Sequence, residues 1–156
     1  MTARRSRASL TRSAARLAAV QALYQMELSE QGVDQVVQEF RESRLALEVE
    51  GKFLANADAD LFADIVQGVV KRQIEVDRAL DRCLAEDWPL ARLEAILRAL
   101  LRAAGYELIA RSDIPARVAL SEYVDIARAF FDEAETNFAN GVMDRLARNV
   151  RASEFA

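Results

Sequence analysis

The sequence predicts an all-α protein with six or seven helices joined by short loops. Of its 156 residues, 52% are hydrophobic, which is enough for the core of a single folded domain. Only 5 glycines and 2 prolines are present, whereas alanine, leucine, arginine and glutamate, all good helix formers, are abundant. Apolar residues also recur three and four positions apart along most of the chain, which is the period of an amphipathic helix.

The N-terminal half predicts three helices. The first is expected at about residues 10–29, with Gly32 as the residue that stops it. The second is expected at about residues 33–47. Residues 50–57 predict a loop, and residues 58–84 carry an unbroken apolar seam that predicts one long helix. The apolar side of the first helix is expected to consist of Leu17, Val20, Tyr24 and Leu28.

Two turns that contain proline divide the C-terminal half into three further helices. Residues 88–89 (Trp-Pro) break the chain, because proline disfavours the α conformation in the residue before it, and the next helix therefore begins at Leu90. Its broad apolar face predicts a central helix. The turn at residues 112–115 precedes a helix that reaches about Phe131, and the last helix is expected at about residues 135–150.

The composition excludes several classes of function. The chain contains no histidine and one cysteine, Cys83, which removes the usual zinc ligand sets, a disulfide and histidine-based acid–base catalysis. Acidic pairs such as Glu122 and Asp125 are typical of a solvated helix face. We therefore expect no enzyme activity, no cofactor and no metal site. The longest apolar stretch, residues 95–110, is interrupted by charges and too short to cross a bilayer of about 30 Å.

Charge is strongly segregated along the chain. Five of the 21 basic residues lie within the first sixteen positions, which contain no acid, so the other 16 basic residues stand against all 25 acidic residues. Arginine suits phosphate because its planar guanidinium donates two parallel hydrogen bonds and keeps its charge. The pattern predicts an RNA-binding arm, of which residues 1–9 are expected to be flexible. The five arginines are Arg4, Arg5, Arg7, Arg12 and Arg16.

Two other features bear on the basic segment. Its composition is also typical of a mitochondrial transit peptide, but apolar residues continue at helical spacing from Leu17, which favours a helix that docks on a core. Residues 27–64 carry ten acids against three basic residues. Such a surface would confine RNA to the arm and attract a basic protein partner, although solubility alone explains it nearly as well.

Four stretches form an ordered set of motifs. They are AVQALYQMELS at residues 19–29, FADIVQGV at residues 62–69, RAAGYEL to SDIPARVALSEYVDIA within residues 102–127, and FANGVMDRLAR at residues 138–148. In this order they resemble the opening helix, a weaker internal match, the central region and the closing FVNGVLD signature of the NusB family of transcription antitermination factors. One departure is Phe131, where that family often has glycine.

The resemblance implies one NusB-like domain over residues 1–156, with two small helical-bundle subdomains at about residues 10–84 and about residues 90–151. It implies a bacterial cytoplasmic protein that binds boxA, a short single-stranded RNA element of rRNA leaders, together with the ribosomal protein NusE. With other Nus factors, this assembly is expected to help RNA polymerase resist termination. The family's RNA contacts match Arg12 and Arg16, with Arg4, Arg5 and Arg7 as a looser extension.

Two aromatic residues are candidates for stacking on unpaired bases. Tyr24 lies two turns after Arg16, and Phe138 opens the closing signature. A core position is a nearly equal alternative for each ring. Gly141 is expected to permit close approach of a neighbouring helix or of RNA, and Asn140 could hydrogen-bond to either.

A second basic stripe near the C-terminus has two explanations. One is a favourable interaction with the helix dipole, and the other is a further phosphate track. The stripe consists of Arg145, Arg148 and Arg151.

Two further functions remain open at the level of sequence. One is the RNA-recruiting domain of an rRNA-modification system, although no methyltransferase domain follows Ala156. The other is a helical protein-interaction module, including a homodimer that covers the RNA-binding face. The basic arm and the ordered set of three stronger motifs make an RNA-binding regulator of transcription the leading hypothesis.

Overall fold

The computed structural model describes residues 6–49 and 52–156, which form seven α-helices and one two-stranded hairpin. This confirms the expected all-α class and the number of helices. The chain divides into two compact units between Gln67 and Gly68. The division falls inside the third helix, whereas the resemblance places the subdomain boundary at residues 84–90.

The N-terminal unit is built around the first helix. Small buried alanines at positions 15, 18, 19 and 22 line one side of this helix, and they allow close packing against the second helix. The rings of Phe40 and Phe62 stack at 5.3 Å between centroids, which fills the core of the unit. The elements that begin in this unit are α1 (Arg7–Leu28), α2 (Val33–Ser43), β1 (Ala46–Val49), β2 (Lys52–Asn56) and α3 (Ala59–Lys71).

The buried side of α1 differs from the expected one. Of the residues predicted to face the core, Val20 is buried and Leu17 and Tyr24 are only partly buried, while Leu28 is exposed. The alanines form the packed side instead. The prediction was based on hydrophobicity and therefore placed the large apolar side chains in the core. Neighbouring segments come so close to α1 that small alanine side chains occupy the buried side instead.

The predicted loop at residues 50–57 is wrong, because a short antiparallel hairpin occupies this region. Ala46 pairs with Asn56, and the register shifts between Leu47 and Glu48. The backbone N–H of Ala57 donates to the carbonyl of Leu45 at 2.6 Å, which closes the base of the hairpin. Strands of four and five residues are too short to give a clear alternating pattern.

The predicted single helix at residues 58–84 is also wrong, since two helices occupy it. The second, α4 (Gln73–Asp81), is separated from α3 by Arg72, whose φ of −110° and ψ of 22° lie outside the helical values. The N–H of Arg72 still donates to Gly68, and the N–H of Val76 donates to Arg72. Because the chain stays hydrogen-bonded through the break, the apolar period continues and conceals it.

The C-terminal unit surrounds α5, which contacts α4, α6 and α7. Its central position is the one that its broad apolar face predicts. Gly105 lets α4 come close, because a Cβ there would lie 3.1 Å from Cγ1 of Val76. The further elements of this unit are a short 3-10 turn (Leu90–Arg92), α5 (Ala95–Ala110), α6 (Ala116–Phe130), α7 (Glu133–Val150) and a second 3-10 turn (Ala152–Phe155).

No helix within residues 6–49 and 52–156 combines the length and the apolar content needed to cross a bilayer.

Candidate nucleic-acid interface

The first helix begins at Arg7, three residues earlier than predicted, and therefore carries Arg7 in addition to Arg12 and Arg16. Ser6 caps it, because its hydroxyl accepts a hydrogen bond from the backbone N–H of Ser9 at 3.0 Å. Arg7 is then the first helical residue. The predicted contacts Arg4 and Arg5 lie outside the described residues.

The start of α1 is held in place at a second point. The carbonyl of Thr11 accepts a hydrogen bond from the backbone N–H of Asp58 at 3.0 Å. The hydroxyl of Thr11 donates to the carbonyl of Ala8 at 2.9 Å. Arg7 and Arg12 are thus presented on an ordered helical turn, which reduces the entropy that a bound ligand must remove.

The arginines of α1 have two different environments. Arg7 and Arg12 are exposed, and neither forms an ion pair within the part of the chain that the structure describes. Arg16 is only 1% exposed. We expected Arg12 and Arg16 to lie on one exposed side because they are four residues apart, and this spacing does place them on the same side of the helix. Arg16, however, lies one turn further along, level with the buried Ala15 and Ala19, whereas Arg12 precedes the first buried residue of α1.

Tyr24 occupies an intermediate position on the same helix. It is partly buried, between the fully buried alanines and the exposed residues of α1. Next to it, the amide of Gln25 donates to Gln31 at 2.7 Å and to Glu39 at 3.1 Å, which ties this end of α1 to α2. Tyr24 stays a predicted stacking residue.

Phe138 and Asn140 both lie exposed on α7, in the C-terminal unit. The alternative that Phe138 is a core residue is wrong, because 39% of it is exposed. Asp132 fixes the start of this helix, since its carboxylate accepts a hydrogen bond from the N–H of Glu135 at 2.8 Å. An exposed ring on a rigid helix is suited to stacking on a base.

Gly141 does not serve the packing of a neighbouring helix. A Cβ built there would meet only Nη1 of Arg145, at 3.5 Å, among the described residues. Gly141 lies three residues after Phe138 and therefore on the same side of α7. Because Gly141 has no side chain, it leaves the surface of α7 open beside the exposed ring of Phe138.

The arginines near the C-terminus are engaged by the protein itself. Arg145 donates to the carbonyl of Cys83 at 3.0 and 3.2 Å, and Arg148 forms an ion pair with Asp144 at 2.9 Å. Arg151 is buried, and its guanidinium donates to Leu108 at 2.7 Å and to three further carbonyls. These carbonyls belong to Glu107, Arg111 and Ile114. The stripe therefore acts mainly within the fold.

Phe130 is an exposed ring that is absent from the predicted site residues. It is 40% exposed at the end of α6. Its centroid lies 6.3 Å from that of Phe131. The available signal was the pair of phenylalanines directly before Asp132, because consecutive helical side chains point about 100° apart and only one of the two can point straight at a neighbour on one side.

The surroundings of Cys83 do not favour a reactive thiol. Burial raises the pKa of the Cys83 thiol, and its sulfur lies 3.7 Å from the amide nitrogen of Asn149. A thiol of this kind stays protonated at neutral pH and is a poor nucleophile. Within residues 6–49 and 52–156, no group of three or more cysteine, aspartate or glutamate side chains could hold a metal ion.

Comparisons with known proteins agree on one family. The profile of the NusB family matches residues 13–148. The transcription antitermination protein NusB of Rhodopseudomonas palustris (strain TIE-1) is 51% identical over 156 residues, which are 100% of this chain and 90% of that protein. That of Caulobacter vibrioides is 52% identical over 140 residues, 90% of this chain and 94% of that protein.

Solved structures share the fold. A structure of T. maritima NusB has a TM-score of 0.74 at 29% identity and covers 92% of this chain and 96% of its own. The sequence profile spans most of the chain, and the curated relatives are about half identical to it over nearly their whole length. The chain therefore belongs to the NusB family.

Proposed function

We propose that this chain is a transcription antitermination factor that binds boxA-type single-stranded RNA of rRNA leaders together with the ribosomal protein NusE. In this proposal it acts with RNA polymerase and other Nus factors in the bacterial cytoplasm. The observation that carries the proposal is the pair of exposed arginines at the start of α1, Arg7 and Arg12, which form no ion pair with any described residue. Their guanidinium groups are free to pair with phosphate.

The relatives support the same assignment. The proteins of R. palustris and C. vibrioides are both named transcription antitermination protein NusB. A crystal structure of antitermination factors NusB and NusE in complex with dsRNA has the same fold, with a TM-score of 0.73 at 23% identity, and covers 90% of this chain and 98% of its own. For this chain, we infer both an RNA ligand and NusE as its protein partner.

We assign base recognition to aromatic rings and one amide. The partly buried Tyr24 on α1 and the exposed Phe138 on α7 would each stack on an unpaired base, and Phe130 is a further exposed ring. Asn140 can both donate to and accept from a base edge. In this proposal the phosphate contacts extend from Arg7 and Arg12 to Arg4 and Arg5, which continue the basic segment.

Arg16 has a different role in this proposal from its exposed neighbours. Since it is buried, its guanidinium is desolvated and held by the protein. A buried charge must be satisfied by hydrogen bonds, which fix the helix that carries it. We infer that Arg16 positions the first turns of α1, so that Arg7 and Arg12 are presented to RNA.

The acidic surface of the N-terminal unit suits a basic partner. Exposed acids lie around the end of α1 and along α2, and a ribosomal protein such as NusE would be attracted to them by charge. The same charges repel RNA. The acids concerned are Glu27, Glu30, Asp34 and Glu42. We infer no catalytic role, because binding and recruitment account for the geometry without a reaction.

The test is binding of a boxA RNA oligonucleotide and of a scrambled oligonucleotide of equal length, with and without NusE, over a series of salt concentrations. The proposal predicts tighter binding of boxA, a further gain when NusE is present, and falling affinity as salt rises. Equal affinity for both oligonucleotides in the presence of NusE would reject the proposal, whatever the salt dependence.

A further inference from the structure

A second surface of the C-terminal unit has an unusual composition. A groove of about 640 Å³ lies between α4, the end of α5 and the end of α7. Four aliphatic side chains line it, which we call its aliphatic floor, and four cationic side chains line it as well. The floor consists of Val70, Ile74, Ile109 and Val150, and the cations are Lys71, Arg72, Arg78 and Arg82.

The aliphatic residues of the floor are unusually exposed to solvent. Ile74 is 71% exposed, and Val70 and Val150 are also exposed, although all three are large aliphatic residues. Isolated exposed aliphatic residues are common on protein surfaces, but these line one concave site. Covering them would release water from a continuous apolar area.

Four of the lining residues form a column along the groove. Val70, Ile74, Arg78 and Arg82 are each four residues apart, which places neighbours within one helix on the same side. From Ile74 to Arg82 the column extends about 12 Å at the rise of an α-helix. This length matches two to three turns of a helix laid into the groove.

The positive charge of the groove is not neutralised by the acids of α4. Glu75 is bound by Arg72 at 2.8 and 3.0 Å, and Asp77 is bound by Arg102 at 2.9 Å. Asp81 accepts a hydrogen bond from the backbone N–H of Leu90 at 2.9 Å.

Three cations are therefore left over along the groove. They are Lys71, Arg78 and Arg82, none of which forms an ion pair with any of the residues that the structure describes. This positive remainder stands out in a chain with a net charge of −4. A ligand of opposite charge is favoured there.

We propose that this groove binds an acidic amphipathic helix of a partner protein, with apolar side chains of that helix on Ile74 and Val70 and its carboxylates on Arg78, Arg82 and Lys71. A helix whose apolar residues recur three and four positions apart fits a groove with an aliphatic floor. None of the residues that line this groove is among those to which RNA binding is assigned above.

The lining residues favour a peptide over RNA. Single-stranded RNA is held by stacking its bases on aromatic rings or free guanidinium planes, and none of the described residues that line this groove is aromatic. One of its guanidinium groups, that of Arg72, is occupied by Glu75 in a two-point contact. An aliphatic floor offers a helix apolar contact, which a phosphate backbone cannot use.

The experiment uses a fluorescent synthetic helix of about four turns, with leucines three and four positions apart and glutamates at the flanking positions, added to the full-length protein. A second peptide carries lysine in place of each glutamate. We expect the acidic peptide to bind and the lysine peptide to bind at least about tenfold more weakly. Fluorescence anisotropy gives both affinities.

Two groove variants and two matched controls locate the site. Ile74→Glu, and Arg78→Glu with Arg82→Glu, should each weaken the acidic peptide about tenfold or more. The double charge reversal should also restore binding of the lysine peptide. Val118→Glu on α6 and Arg41→Glu on α2 change an exposed aliphatic residue and an exposed arginine elsewhere and should leave binding unchanged. All variants should keep the affinity of the parent protein for boxA RNA.

Several outcomes would overturn the proposal. Equal binding of the two peptides, or equal loss in the control variants, would mean that the groove does not recognise an acidic helix. Displacement of the peptide by boxA RNA, with loss of RNA binding in the double reversal, would assign the groove to RNA. Self-association of the protein without peptide, abolished by Ile74→Glu in sedimentation equilibrium, would assign it to a second copy of the chain.

Discussion

The start of α1 and the end of α7 both carry arginines, but they use them differently. On α1, Arg7 and Arg12 are exposed and form no ion pair among the described residues. Near the end of α7, Arg145, Arg148 and Arg151 are bound to carbonyls or to a carboxylate of the same unit. The density of arginine is similar in both segments, so the number of arginines does not identify a phosphate-binding surface.

The two groups of arginines differ in the interactions that they would have to break in order to bind RNA. A guanidinium that already donates to buried carbonyls would leave them unsatisfied if it moved to a phosphate, and each unsatisfied group costs about 1–3 kcal/mol. An exposed guanidinium exchanges only water and counterions, and the release of counterions favours binding. The comparison therefore predicts that Arg145 and Arg151, which donate to carbonyls, govern stability, and that the exposed Arg7 and Arg12 govern affinity.

The largest expected effect is that of Arg151→Ala on stability. The guanidinium of Arg151 satisfies carbonyls in the last turn of α5, including Glu107 and Leu108, where a cation is also favoured by the helix dipole. We expect the free energy of unfolding to fall by about 3 kcal/mol or more, measured by urea denaturation. Arg148→Ala is the control, because its exposed ion pair contributes about 0.5 kcal/mol or less.

Arg16→Ala should resemble Arg151→Ala, although Arg16 lies on α1. Removing a buried, satisfied charge should lower the free energy of unfolding by about 2 kcal/mol, and the salt dependence of RNA binding should not change. Arg12→Ala should show the reverse, with stability retained and a weaker salt dependence. If Arg16→Ala altered the salt dependence as much as Arg12→Ala does, Arg16 would contact phosphate and the comparison would fail within α1 itself.

Phe138→Ala extends the comparison to aromatic residues. Stacking on one base is worth about 1–3 kcal/mol, so we expect about tenfold weaker binding of boxA RNA with an unchanged salt dependence. Phe155 is the matched control, since Arg117 and Arg148 lie over its ring at 5.4 and 4.8 Å. If Phe155→Ala weakened RNA binding as much as Phe138→Ala, exposure of the ring would not be the deciding property.

The smallest effect concerns Glu154, which belongs to the Arg151 cluster. The backbone N–H of Ala116 donates to its carboxylate at 2.9 Å and Arg151 binds it at 2.6 Å, which together lower the pKa of Glu154 below its ordinary 4.5. The stabilisation by the charged form is therefore present above pH 4.5 and lost as the pH falls through the folded-state pKa. The thermal midpoint of Glu154→Gln should lie below that of the parent protein at neutral pH and converge with it in acid. A constant difference at all pH values would contradict this.

Much of the fold could be predicted because apolar spacing records which side of a segment is covered. The central position of α5, with buried Leu100 and Leu101, follows from such spacing. The break at Arg72 could not be predicted, because hydrogen bonds and the apolar period both continue through it. The hairpin at Ala46–Val49 and Lys52–Asn56 is too short for a period to be visible.

The candidate site was harder to predict than the fold. Sequence identifies Arg12 and Arg16 as the same residue type one helical turn apart, but only packing decides that one is exposed and the other buried. Phe138 heads an apolar row on α7, yet it faces solvent. Residue type and spacing thus indicate which groups could bind RNA, whereas burial and existing partners determine which groups are free to do so.

The most direct test compares two double variants on the same boxA RNA. The slope of log affinity against log salt should fall by about 1.4 in Arg7→Ala with Arg12→Ala, since each lost phosphate contact with single-stranded RNA contributes about 0.7. In Arg145→Ala with Arg148→Ala the slope should match that of the parent protein. Equal slopes in both double variants would contradict the claim that the free arginines at the start of α1 bind the RNA.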